Sequence, residues 1–217
     1  MPMIYQSQAS ATPSSGTAIS VAKPSGTVDG DVLVALVAAI ISSSPYSFTP
    51  PAGWVATGAI AQFAASGGRM QIWTRVAGGS EPANYSWTVS NAITQSAAVV
   101  LRYAPQSPTT PPGVVDDAVM SGLQSGGVVS PSVVATGNAD TLIALFGAGS
   151  GTVGVPPSDM TQRAVIEQSN IKVAIYDEPL TATGATGTRT LNGPTSGAAG
   201  SILLFAEQAG SRIRMMV

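Results

Sequence analysis

The sequence predicts an all-β protein, a jelly-roll-like antiparallel β-sandwich built from two similar, roughly six-stranded halves. Three observations carry that prediction. Apolar residues recur with a period near two; glycine and proline, 24 and 16 of them, punctuate the runs at short intervals; and the order of elements in the first part of the chain returns in the second. No stretch combines the length and apolar spacing of an amphipathic helix, although "NAITQSAA", from Asn91, offers a turn or two.

Taken in chain order, residues 1–16 read as an N-terminal arm and residues 17–103 as the first β half. Within that half "VLVALVAAII", Val32–Ile41, is the longest apolar run. It is about half of the roughly 20 residues a membrane-spanning helix needs. Its β-branched content, with Gly30 before it and "SSSP" after it, fits a central strand buried on both faces. "RMQIWTRVA" puts Met70, Ile72 and Val76 on one side and Gln71, Trp73 and Arg75 on the other; "NYSWTVS" opposes Tyr85, Trp87 and Val89 to Ser86, Thr88 and Ser90. A strongly apolar last strand covers residues 97–103. The prolines of "APQSPTTPPG", residues 104–113, suit an extended connector.

Residues 114–207 form the second half. "GDVLVALVAA" matches "ADTLIALFGA", "PPAGW" is echoed by "PPSDM", "MQIWTRV" corresponds to "VAIYDEP", and "AAVVLRYA" to "GSILLFAE". The spacing is roughly 100 residues, and the repeat lies in the order of elements more than in identity. Each half alone leaves wide sheet faces uncovered, so the two are expected to cover each other around one core. Residues 208–217 read as a C-terminal arm.

Only 9% of residues are charged and the net charge is −2, while 44% are hydrophobic. A surface of Ser, Thr, Gln, Gly and Ala has little charge repulsion to hold copies apart, which points to self-association. The nine Lys and Arg form no basic stripe, so direct nucleic-acid binding is not expected. The start "MPMIYQSQASATPSS" lacks a basic segment followed by an apolar core, which predicts synthesis in the cytoplasm without secretion.

The chain contains no histidine and no cysteine. Ser/His/Asp and Cys/His catalysis and ordinary zinc or iron sites are thereby excluded. Paired carboxylates are the remaining route to hydrolysis, but Asp116 with Asp117 and Asp177 with Glu178 are adjacent, so on strands each pair points to opposite faces. Asp29 with Asp31, and Asn138 with Asp140 in the second half, read as turn residues before a strand, with calcium the alternative. "GAGSGTVG" and "SGLQSGGVV" lack the ending of a phosphate loop. No catalytic residue, metal or cofactor is expected.

Tyr85 and Trp87 read as core. Trp54, after "PPAG", reads as an anchor of its loop, and Trp73 shares its side with Gln71 and Arg75. These two indoles are the candidates for contact with a sugar or a partner protein. At the ends, Met1, Met3, Ile4 and Tyr5, and Arg212, Ile213, Arg214 and Met215 in "SRIRMMV", are the candidates for binding partners, since arms of this kind are ordered by docking on neighbouring subunits.

The string "VAKPSGTVDGDVLVALVAA", followed by "PPAGW", "IWTRVAGGSEPANYSWT" and "AAVVLRYA", resembles a β-sandwich unit of tailed-bacteriophage virion proteins. The resemblance spans about residues 21–207; the second half departs from it, with "SDM" for "AGW" and "LTATGATGTRT" for the aromatic strand. It implies a structural place in the virion and no chemical activity; together with the sparsely charged surface this leads to the expectation of a capsid decoration or cement protein that binds the major capsid protein and itself, as a homotrimer or other cyclic oligomer. The alternative it leaves is a tail or head-fibre module binding host surface glycans; an enzyme on envelope sugars is the weakest reading, because it needs two acids facing one cleft.

Overall fold

The computed structural model describes residues 3–41, 45–64, 67–105, 113–120, 127–137 and 140–206. Every regular element in them is a strand. The first part of the chain holds β1 (Ile4–Ala11), β2 (Ala18–Ala22), β3 (Val32–Ile41), β4 (Phe48–Thr49), β5 (Val55–Ala64), β6 (Gly68–Val76), β7 (Asn84–Val89) and β8 (Ile93–Ala104). The second holds β9 (Gly113–Met120), β10 (Val128–Ser130), β11 (Val134–Ala135), β12 (Thr141–Gly151), β13 (Thr161–Glu167), β14 (Lys172–Pro179), β15 (Gly184–Ala185), β16 (Arg189–Leu191) and β17 (Pro194–Ala206). The stretch "NAITQSAA", which offers a helical turn in sequence, enters β8 instead, because Ile93 and Ala97, on either side of a register break, are buried in the outer and the shared core respectively.

Two five-stranded antiparallel sheets dominate. Their orders are β1-β8-β3-β6-β5 and β13-β14-β12-β17-β9. Read from the opposite edge, the second is β9-β17-β12-β14-β13, the same succession of first strand, last strand, long apolar strand and the two that follow it. A three-stranded sheet, β2-β7-β4, accompanies the first; two pairs, β10-β16 and β11-β15, accompany the second. The described strands thus outnumber the roughly six per half expected from periodicity, because short covering strands escape a pattern reading.

Alternation explains the layering. Val32, Val34, Leu36, Ala38 and Ile40 of β3 join Met70, Ile72, Val99 and Leu101 in a core shared with Ile143, Leu145, Val173, Ile175 and Phe205 of the other large sheet. The intervening residues, Leu33, Ala35, Val37, Ala39 and Ile41, face outward and are covered by Ile19, Val21, Phe48, Tyr85, Trp87 and Val89 of the small sheet. β3 is therefore buried on both faces, which is why it lacks polar residues. On the other sheet Ala144, Phe146, Ala174 and Tyr176 face a smaller outer cluster with Val128, Met160 and Leu191.

The sheets approach closely at Gly147 of β12. A Cβ there would lie 2.6 Å from Met70 Sδ and 3.5 Å from the Phe63 ring, so this position of the shared core accepts no side chain without repacking.

Candidate interaction surface

The N-terminal residues are not a free arm. Ile4–Ala11 pair with β8, from Ile4 opposite Ala104 to Ala11 opposite Ala98, with a register break between Tyr5 and Ser7. Met3 is buried, and its amide donates to Thr141 Oγ1 at 2.9 Å across the sandwich. The Tyr5 ring meets Tyr103 edge-on at 5.9 Å, and the Arg163 guanidinium lies over Tyr5 at 4.6 Å. Of the proposed N-terminal contacts, Ile4 is exposed, at 46%. Met1 lies outside the described residues, as do Arg212, Ile213, Arg214 and Met215.

Around Tyr5 the two large sheets share a polar junction. Arg163 Nε donates to Asp177 Oδ1 at 2.7 Å, and the Tyr103 hydroxyl donates to Asp177 Oδ2 at 2.8 Å. Burial pushes the Asp177 carboxyl above its ordinary range despite these two donors. Burial and the neighbouring carboxylate likewise hold the Tyr103 phenol well above its usual value. A cleft of about 200 Å³ opens beside them, lined by Met3, Ile4, Tyr5, Thr141, Arg163 and Asp177, among others. Asp177 has neighbours Val173 and Ile175 on the same alternation of β14, and an acid in that inward series is the sequence signal for the junction; its partners stand far away in the chain and leave no local motif.

Glu178, one residue on, turns to the other face and pairs with Arg189. The two adjacent acids thus serve different partners on opposite faces, as the strand geometry predicts, although Glu178 also lines the Tyr5 cleft. In β9 the backbone of Asp116 and Asp117 pairs with Leu204 and Leu203.

Asp31 and Asp140 do the same local job ahead of β3 and β12. Asp31 Oδ2 accepts the Val28 amide at 2.8 Å and Arg102 Nε at 2.6 Å. Asp140 Oδ2 accepts the Gly137 and Thr136 amides at 2.9 and 3.1 Å. Each carboxylate reaches back to amides three or four residues earlier and so closes the turn that feeds a central strand. Asp29 is exposed and Asn138 lies outside the described residues. Among the described residues no group of three or more Asp or Glu is placed to hold a metal ion, and no helix is long and apolar enough to cross a membrane.

Both candidate indoles are buried. Trp54 is 5% exposed and packs edge-on against Tyr85 and Trp87, each at 5.1 Å between centroids. Trp73 is 4% exposed in the same cluster. The reason is the cover: β2, β7 and β4 lie over the face that Gln71 and Arg75 suggest is open, and Arg75 turns to Glu81 at 2.7 Å. Neither indole presents a ring face to a ligand.

The large aliphatic side chains that are exposed among the described residues are Ile4, Val28, Val55, Val76, Val134 and Val155. All but Val155 stand where the central strands begin. Val32 of β3 pairs with Val76 and Tyr103, Ile4 with Ala104, and Val55 with Thr74, while Val28 and Val134 precede the turns into β3 and β12. The Tyr5 cleft opens at this same end. Compared with family models, curated proteins and solved structures, the chain shows no match.

Proposed function

We propose that the protein is a structural component of a tailed-phage virion, a capsid decoration or cement protein that acts by binding coat subunits and other copies of itself, with no chemical turnover. The observation that carries this reading is the aliphatic end of the sandwich: Ile4, Val28, Val55 and Val76 stay exposed at one end of a molecule whose net charge is only −2. The carboxylates weighed for catalysis or calcium whose side chains are described and buried, Asp31, Asp140, Asp177 and Glu178, are occupied by turns, ion pairs and the junction. The resemblance of residues 21–207 to virion sandwiches points the same way. The glycan-binding alternative rests on Trp54 and Trp73, and their burial removes its support.

In this role the chain, made in the host cytoplasm, joins the virion by seating its aliphatic end where coat subunits meet and burying on the order of 800 Å² per partner. Because only the assembled shell offers the site, binding stabilises that state by mass action. The oligomer suggested by the sequence is a homotrimer. Particles assembled with and without the chain test the reading: the decorated shell should disrupt at a higher temperature, and Ile4→Asp with Val76→Asp should lower particle occupancy about tenfold. Equal disruption temperatures, or full occupancy of the double variant, would refute it.

A further inference from the structure

The two large sheets have four lateral edges, and they differ in how they are guarded against further pairing. β5 breaks register between Thr57 and Ala61 and again between Gln62 and Ala64, with Gly58 at φ 73° inside the first break. β13 carries Arg163 and Glu167 and a break between Gln162 and Ala164. β9 carries Asp116 and Asp117 and lies opposite a break between Leu204 and Phe205. Bulges and charges of this kind are what natural sheets use to blunt an edge.

β1 has little such protection. "IYQSQASA" contains no charge and no proline, and after the break at Tyr5 it runs in even register from Ser7 opposite Arg102 to Ala11 opposite Ala98. Among the described residues no strand pairs with its outer side. In an antiparallel ladder every second residue then directs its N–H and C=O away from the sheet. Its side chains alternate exposed and half-buried along the whole strand, so the inward set is only partly covered.

We propose that β1 pairs antiparallel with β1 of a second copy about a twofold axis, joining two five-stranded sheets into one. A twofold operation sets a strand against its own sequence, so any charge risks facing its own kind. Gln, Ser and Ala can face themselves without that cost, whereas the charged β13 and β9 cannot be relied on to do so. The second copy is the occupant because the uncharged strand is complementary to itself. Two eight-residue strands bury less than the roughly 1,200 Å² of a stable interface, so the contact exchanges in solution and tightens where many copies are held together. It gives even-numbered assemblies and in that respect departs from the trimer. It goes beyond the virion reading and stands or falls independently of it.

Sedimentation equilibrium of the purified full chain over a concentration series tests it. The chain should shift from monomer to dimer with rising concentration. Gln8→Lys with Ser10→Lys, both at exposed positions, should weaken dimerisation about tenfold through facing like charges, and an equimolar mixture with Gln8→Glu/Ser10→Glu should restore it. As a check that does not depend on those variants folding, Gln6→Cys, Gln8→Cys and Ser10→Cys are made singly in this cysteine-free chain. At least one should form an intermolecular disulfide on mild oxidation, and Thr161→Cys on β13 should not. A wild-type monomer at all concentrations, a trimer unaffected by the lysines, or no disulfide from any β1 position would overturn the proposal.

Discussion

Over the outer face of the first large sheet a three-stranded sheet sets Tyr85 and Trp87 in one cluster with Trp73 and Trp54; over that of the second, two pairs of short strands accompany the sheet, and Val128 and Leu191 of one pair cluster with Phe146, Tyr176 and Met160. The strand order beneath is the same in both. Aligning Leu33 of β3 with Leu142 of β12 makes the substitutions explicit. Arg75 opposite Leu33 becomes Glu178 opposite Leu142, and Trp73 opposite Ala35 becomes Tyr176 opposite Ala144. Arg75 pairs with Glu81 and Glu178 with Arg189, so the ion pair keeps its place and reverses its polarity. Tyr103 opposite Val32 becomes Phe205 opposite Thr141, leaving the Asp177 junction with a single hydroxyl donor, supplied by the first sheet. Wiring is thus set by the doubly buried central strand, while the residues that clad it are free to change as long as volume and charge balance are kept.

The largest expected effect is in the first cladding. Trp87 is fully buried, and Trp87→Ala should cost about 3–5 kcal/mol in urea unfolding. Phe146→Ala should cost less, because the short strands above it can close on the void. Equal losses would break the contrast between thick and thin cover.

Next is the junction. Tyr103→Phe removes a hydroxyl from a buried carboxylate and should cost about 1.5–3 kcal/mol. It turns this position into the phenylalanine found at its counterpart, Phe205, so a neutral outcome would mean that the asymmetry between the two large sheets carries no energy.

Smaller effects come from acids that titrate in opposite senses. Burial raises Asp177, so the folded chain holds its proton more tightly than the unfolded chain does. Its contribution to stability is greatest below the ordinary value of 3.8 and declines as pH rises through the raised one. For Glu81 burial also acts upward, but the Gly78 amide, the Arg75 guanidinium and the Tyr85 hydroxyl together hold it below the ordinary 4.5. Its contribution is present above 4.5 and is lost as pH falls through the lowered value. In stability measured against pH, Asp177→Asn should flatten the decline above 3.8, and Glu81→Gln should flatten the loss on the acid side. The smallest effect is Tyr176→Phe, which deletes a buried hydroxyl that has no hydrogen-bond partner and should be neutral to within about 0.5 kcal/mol or stabilising.

Much of the fold was legible because burial writes itself into alternation. Val32–Ile41 declares two covered faces, and Tyr85, Trp87 and Val89 declare one. The strand nature of β1 was not legible, because its half-buried positions hold Tyr5, Ser7, Ala9 and Ala11, too small or too polar to give an apolar period. Trp73 was misleading for a related reason. Arg75 turns its guanidinium to Glu81 while the indole lies under the small sheet, so polar neighbours did not mean an open face. The junction of Tyr5, Tyr103, Arg163 and Asp177 depends on contacts between distant parts of the chain, such as the 74-residue separation of Tyr103 and Asp177, and no local window contains it.

The proposal that the molecule binds neighbours through its aliphatic end is decided by adding the purified chain to empty shells of the coat protein it is proposed to decorate and measuring bound copies per shell by sedimentation. Binding should saturate at a fixed number of copies per coat lattice position and fall with Ile4→Asp and Val76→Asp. Shells that sediment without the chain at every concentration would overturn the proposal.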